Sequence, residues 1–190
     1  MTTGYRIEGF AIVSVDGMLA TAERVMPPEM IVEADQRFFE RGLDCMEAVV
    51  HGRNSQEQQP RAVGRRRLIA THRVETLQPH PQNPNALYWN PATTSLEQAL
   101  QALGVHSGNI AVIGGTQIFG MFLPRYDVFH LSRTGRVRLP GGLPVFPQVP
   151  AMTPEDVLTE HGMEPGPVQV LDAARDATLV SWTRKKARKP

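Results

Sequence analysis

Three apolar runs end in glycine or in small polar residues, and each end carries groups able to hold an anion. The run from Met46 to His51 predicts a strand, and Gly52-Arg53-Asn54-Ser55 follows it. A glycine opening a turn leaves backbone N–H groups free, and such groups bind phosphate readily. The planar guanidinium of Arg53 suits the same oxygens. Those four residues alone are equally an ordinary turn with an exposed arginine. A second run, Leu68 to Thr71, leads into His72 and Arg73 downstream of Arg61, Arg65, Arg66 and Arg67. One hydroxyl and two potential cations suit a second phosphate, such as the one on the adenosine ribose of NADPH. A solvated basic loop is the alternative. The third run, Asn109 to Ile113, precedes Gly114-Gly115 and then Thr116, Gln117 and Ile118. Paired glycines let backbone approach a ligand closely, and a helix starting near Thr116 offers further N–H groups. A tight turn without a ligand explains the same residues.

A carboxyl joins these candidates. Met30, Ile31, Ala34, Phe38 and Phe39 recur at helical spacing, which predicts a helix from Glu29 to Arg41 stopped by Gly42. Ile31, Phe38 and Phe39 stand four before, three after and four after Asp35, so Asp35 falls on the apolar stripe. A carboxyl there loses hydration and its pKa rises, which makes it a candidate proton donor or hydrogen-bond partner. An aspartate at the stripe edge paired with an arginine is the structural alternative.

Other chemistries find no support. The six histidines form no His-x-x-x-His pair, and Cys45 is the only cysteine, so neither a metal site nor an internal disulfide is expected. A Gly-x-Ser-x-Gly elbow and a Gly-x-Gly-x-x-Gly fingerprint are both missing, against a serine hydrolase and a standard Rossmann domain. A net charge of +1 gives no general field for nucleic acid or membrane. No run reaches the length of a bilayer span, and the amino-terminal residues have no signal-peptide pattern, so the expected compartment is the cytoplasm.

The elements that must position these residues alternate. A first strand runs from Ile7 to Val15, and Asp16-Gly17 opens a loop that reaches Met26-Pro27-Pro28. Ser95 to Gln98 reads as a capping box for a helix with Leu96, Ala99, Leu100 and Leu103 on its buried stripe, stopped by Gly104. Pro79, Pro81, Asn83 and Pro84 predict irregular structure. A short helix spans Gln117 to Leu123, and later strands span Tyr126–Ser132, Val168–Leu171 and Ala177–Trp182. Such an order predicts one α/β domain over residues 1–184 with a basic tail at 185–190. Its sheet is mixed and mostly parallel, with helices on both faces and an antiparallel edge formed by the C-terminal strands. The breaks after Val15, His51 and Ile113 should converge on one cleft at the carboxyl ends of the strands.

These residues also resemble a known superfamily. Ser14-Val15-Asp16-Gly17-Met18-Leu19-Ala20 is similar to a signature of riboflavin-biosynthesis reductases. Gly52-Arg53-Asn54-Ser55, then Gly114-Gly115 through Phe119, then Gly141-Gly142 with Val145-Phe146-Pro147, resemble segments of dihydrofolate reductases in the same order. The resemblance implies a three-layer dihydrofolate-reductase-like fold that binds NADPH across the strand ends. It implies Gly52 to Ser55 at the pyrophosphate, Thr71 to Arg73 at the ribose phosphate and a cis peptide at Gly114–Gly115, with Thr116, Gln117 and Ile118 beside the cofactor. Asp35 falls in place of the superfamily's substrate carboxylate, with Ile12, Asp16, Phe39 and Ser132 around the substrate. The implied activity is hydride transfer from NADPH to a pteridine- or pyrimidine-like heterocycle, of the 5-amino-6-(5-phosphoribosylamino)uracil reductase type. Dihydrofolate reductase is the alternative, and a non-catalytic NADPH-binding protein is the rival from another class. Pro28, Ser55 and Phe119 depart from the residues usual in dihydrofolate reductases. The expected partner is a small heterocycle rather than nucleic acid or membrane, with a homodimer as the alternative to a monomer.

Overall fold

A computed structural model describes residues 4–54 and 62–185. Ser55, Arg61 and the tail beyond Lys185 lie outside the described residues. Among the described residues eleven strands and four α-helices form: β1 (Tyr5–Val13), β2 (Met18–Ala20), α1 (Glu33–Asp44), β3 (Ala48–Gly52), β4 (Arg67–Ala70), β5 (Leu77–Pro79), β6 (Ala86–Trp89), α2 (Leu96–Ala102), β7 (Gly108–Val112), α3 (Thr116–Phe122), β8 (Val128–Thr134), β9 (Leu143–Pro144), α4 (Pro154–Glu160), β10 (Met163–Asp172) and β11 (Ala177–Arg184). Nine strands make one sheet in the order β10-β11-β8-β1-β7-β3-β4-β6-β5. The six from β8 to β6 run parallel, so their carboxyl ends share one rim. β11 is antiparallel to β8 and β10, and β5 is antiparallel to β6, so the sheet is mixed, mostly parallel, and antiparallel at both margins. Among the described residues no helix is long and apolar enough to cross a membrane.

Alternation along the strands divides the core. Ile7 and Val13 of β1, Val50 of β3, Ile110 and Val112 of β7 and Phe129 and Leu131 of β8 face α2, α3 and α4, and these build the larger cluster. The opposite face is thinner. There Phe10, Val49 and Ala111 meet α1 through Leu43, Phe38 and Phe39, with Met46 and Ile113 beside them. The Ser95–Gln98 capping box forms as expected, with the serine hydroxyl accepting from the Gln98 N–H and the Gln98 side chain accepting from the Ser95 N–H.

Several boundaries differ from the sequence reading. Pro27-Pro28 starts a single 3-10 turn, Pro28–Met30, and the chain is extended at Ile31 and Val32 before α1 begins. Burial of Met30 and Val32 anchors that extended step, so Ile31 lies outside the helix and is exposed. Gly42 does not stop α1, which continues to Asp44. A Cβ at position 42 would sit 2.7 Å from the Phe10 ring, so the glycine is a point of close helix-to-sheet approach rather than a cap. β1 ends at Val13, because Ser14 turns to pair its N–H with the Met18 carbonyl. Pro79 belongs to the edge strand β5, a position that tolerates a residue without an N–H. The sequence reading also omitted β2, β6, β9 and α4. β2 and β9 are too short to carry a period, and the proline that begins α4 follows its Thr153 cap.

Candidate active site

The rim at the carboxyl ends of the parallel strands brings the glycine-bearing breaks together. Gly52, ending β3, donates its N–H to the Gly114 carbonyl at 2.7 Å, while the Ile113 N–H bonds Val50. A Cβ on Gly52 would lie 3.4 Å from Ile118 Cγ1 and 3.7 Å from the Gly115 nitrogen, so a side chain there would occupy the space between the two strand ends. The Gly114–Gly115 peptide is cis, as the resemblance implied, and Gly115 caps α3. Arg53, Asn54 and Gln117 are exposed, and Ile118 is half-buried. Thr116 spends its hydroxyl on the Pro144 carbonyl, which joins α3 to the segment after β8.

At the end of β4 the Thr71 N–H bonds the Trp89 carbonyl, and its hydroxyl accepts the Arg73 N–H at 3.2 Å. This turn holds His72 and Arg73 exposed beyond the strand, with a ring nitrogen of His72 3.3 Å from Asn90. The position of β4 beside β3 therefore places two cationic turns on neighbouring strand ends.

On the α1 side of the rim, Ile12 of β1 and Ser132 of β8 are register partners. Asp35 comes down onto them from the first turn of α1, two residues into the helix. Burial raises the Asp35 pKa above its ordinary value, and a hydrogen bond with the Ser132 side chain works the other way. Ser132 is itself buried. Phe39, one turn along α1, packs edge-on against Phe10 with ring centroids 6.0 Å apart. The structure thus gathers Ile12, Asp35, Phe39 and Ser132 on one face at one end of the sheet.

Asp16 does something else. Its carboxylate accepts from the Ser14 hydroxyl at 2.6 Å and from the Leu139 N–H at 3.0 and 3.1 Å. Burial opposes its ionisation, but the Ser14 bond, the Leu139 N–H and nearby Arg138 outweigh that and hold the carboxyl below its ordinary range. Ser14, fully buried, returns a bond by accepting the Met18 N–H at 3.0 Å. The Ser-x-Asp-Gly pattern is therefore the lock of the turn after β1, and both Asp16 oxygens are committed to it.

Two residues with roles here escaped the sequence reading. Arg133 donates to the carbonyls of Ser14 at 3.1 Å and Val15 at 2.7 Å and pairs with Glu155 of α4. It staples the loop after β1 to β8, and one arginine in an alternating strand offers no signal of that. His51 is buried at 2% exposure beneath the Gly52 turn. An ionisable ring completing an otherwise apolar strand was the signal available for it.

No protein-family model matches this chain, and no curated protein matches its sequence. Solved structures do match its fold. The diaminohydroxyphosphoribosylaminopyrimidine deaminase/5-amino-6-(5-phosphoribosylamino)uracil reductase of Thermotoga maritima superposes on 95% of this chain with a TM-score of 0.66 and 15% identity. This chain spans 56% of that one. A Shewanella sp. PV-4 protein assigned to riboflavin biosynthesis matches over 95% of this chain and 99% of its own, with a TM-score of 0.61 and 16% identity. Dihydrofolate reductase of Enterococcus faecalis, complexed with NADP(H) and RAB-propyl, matches over 97% and 98% with a TM-score of 0.60 and 15% identity.

The chain has the dihydrofolate-reductase-like fold. Within that dihydrofolate-reductase-like frame, the Gly52 and Gly114–Gly115 junction lies at the centre of the rim, and the Asp35–Ser132 pair lies toward the β8 side. Two of the similar structures are named as reductases, one of 5-amino-6-(5-phosphoribosylamino)uracil and one of dihydrofolate.

Proposed function

We propose that this chain is an NADPH-dependent reductase of the riboflavin-biosynthesis type, delivering hydride to a carbon–nitrogen double bond of a substrate built on a pyrimidine- or pteridine-like heterocycle. The observation that carries the reading is Asp35. A carboxyl whose burial favours the protonated form, hydrogen-bonded to a buried Ser132 and flanked by Ile12 and Phe39, is suited to hold a flat, nitrogen-rich ring and give it a proton.

The rim fits the dinucleotide. The space beside Gly52 that a Cβ would fill admits backbone contact, Arg53 and Asn54 stand exposed at its edge, and one strand away Arg73 offers a cation and His72 a ring nitrogen. In this reading Gly52 to Asn54 bind the pyrophosphate and Thr71 to Arg73 the ribose phosphate. The nicotinamide supplies hydride when bound. The chain supplies the rest: Asp35 holds the proton, Ser132 orients the carboxyl, and the loop locked by Asp16 and Arg133 borders the cleft and limits water.

Two measurements test this. Absorbance turnover of NADPH is followed in parallel with 5-amino-6-(5-phosphoribosylamino)uracil and with dihydrofolate. Consumption with the aminouracil supports the reading, consumption with dihydrofolate alone moves the chain to the other activity, and tight NADPH binding without consumption leaves a binding protein. The second concerns cofactor choice. Charge-assisted hydrogen bonds to a phosphate are worth about 1.5–3 kcal/mol, so NADPH should bind roughly tenfold to a hundredfold more tightly than NADH. Overlapping titration curves for the two cofactors would remove Thr71, His72 and Arg73 from the site.

A further inference from the structure

The turn between β10 and β11, residues 173–176, reaches both halves of the Asp35–Ser132 pair. On the sheet side it is fixed. Leu179 of β11 is the register partner of Ser132 and Ala177 that of Thr134, so the hairpin continues the ladder that holds Ser132. Just past β8, the Gly135 N–H donates to the Asp176 carbonyl at 2.8 Å. A Cβ on Gly135 would lie 2.0 Å from Asp176 Oδ2, so these segments meet with no room for a side chain between them. Within the hairpin, the Asp172 carboxylate accepts the Arg175 backbone N–H at 3.2 Å and stands 3.8 Å from Arg175 Nε.

From this base the Arg175 side chain crosses to the entry of α1. Its Nη1 donates to the carbonyl of Ile31, 144 residues earlier in the chain and one residue before the helix N-cap. That N-cap is Val32, whose apolar side chain accepts nothing from the first-turn N–H groups. Met30 and Val32 are buried and anchor the approach. Apolar burial is non-directional, however, whereas a hydrogen bond restricts angle as well as distance. Asp35 lies in the turn that follows, four residues after Ile31.

We infer that Arg175 is a positioning residue for Asp35: by holding the Ile31 carbonyl it sets the first turn of α1 against β8, so that the Asp35 carboxyl meets Ser132. The inference rests on reading Asp35 as the acid that serves the substrate, and it adds the contact that places it. One hairpin then serves as the reference for both groups, Ser132 through the strand ladder and Asp35 through Arg175. The guanidinium passes no proton, since it only donates hydrogen bonds and stays charged.

The test uses the full chain with 13C-labelled aspartate. Arg175→Lys keeps a charged donor, and Arg175→Met keeps the bulk with neither charge nor donor. Turnover of NADPH is measured with whichever of the two heterocycles is consumed, and the Asp35 carboxyl resonance is titrated with pH without substrate. The Met variant should lose about tenfold in kcat, short of the ~10²-fold that a 1 Å misplacement can cost, with KM for NADPH unchanged. Its Asp35 titration should move down toward the ordinary aspartate range. Burial is what raises it, outweighing the Ser132 bond, and a looser first turn admits water. Loss of a positive charge by itself would move that titration up, so the direction separates positioning from electrostatics. The Lys variant should stay near wild type in both readouts. An Asp35 titration that holds or rises in the Met variant overturns the inference. So does an unchanged kcat in an active enzyme, and so do equal losses in the Met and Lys variants. If the Met variant does not fold, Arg175→Gln, uncharged and shorter, replaces it. An Asp35 titration that responds to Arg175 in a chain that never consumes NADPH would sink the reductase reading and leave the positioning role standing.

Discussion

Asp35→Asn should lower turnover of the reducible heterocycle by ~10²–10⁴-fold, the range for loss of a general acid, while NADPH affinity stays near its starting value. The substitution keeps the shape of the side chain and its capacity to bond Ser132, and it removes only the transferable proton. Stability should respond in the opposite sense from activity. Burial raises the Asp35 pKa above its value in the unfolded chain, so the folded protein holds this proton more tightly. The stability that comes from it is present at low pH and is lost as pH rises through the folded pKa. Above that pKa the ionised carboxylate is a cost, and Asn relieves it. Thermal melts on the alkaline side of the activity loss should therefore show the variant at least as stable as wild type. Turnover of the wild type should fall as pH climbs past the same pKa. A melting temperature that drops while kcat holds would mark Asp35 as half of a structural ion pair and end its role as acid.

Neighbouring glycines should give opposite results on substitution. Gly114 has φ +108°, and an added Cβ would sit 2.9 Å from Cε2 of Phe119, a ring with 1% exposure. Neither the backbone nor the buried ring can yield cheaply, so Gly114→Ala should cost more than about 1 kcal/mol of stability. For a domain of this size that corresponds to a fall of at least roughly 2–4 °C in melting temperature. Gly115 has φ −79° and ψ −155°, extended backbone that alanine adopts freely. Gly115→Ala should therefore melt within a degree or two of wild type yet bind NADPH at least about tenfold more weakly, because the methyl group stands where backbone meets the cofactor. Unchanged NADPH affinity in Gly115→Ala would reduce the paired glycines to a structural turn.

Much of this arrangement could be read from residues alone, for reasons that differ by element. The continuous apolar runs of β1, β3 and β7 declare strands buried on both faces, and the glycines after β3 and β7 mark where backbone changes direction. Asp35 stood out because a charge on an apolar stripe breaks a period. Its stripe survived even though α1 starts four residues later than expected, since Phe38 and Phe39 stay in phase with it. What was illegible depends on contacts between distant segments. Asp16 looks like a free carboxylate until Leu139, 123 residues on, returns to bond it. Arg133 and Glu155 are unremarkable until β8 and α4 converge on the first loop. Gly42 reads as a helix stop because nothing local announces that Phe10 lies beneath it.

The uneven division of the core also bears on how the molecule opens. Three helices share one face of the sheet, but the helix that carries Asp35 rests on only a small group of buried side chains, with its Glu33–Arg37 ion pair out in solvent. Elements with few buried apolar contacts detach at lower free energy than the rest of a domain. Amide exchange should therefore fall into two classes, with α1 exchanging through a partial opening and β1, β7 and β3 only through global unfolding. Because Asp35 and Phe39 travel with α1 while Ile12 and Ser132 stay on the sheet, that partial opening parts the two sides of the substrate site and leaves the Gly52 and Gly114 junction intact.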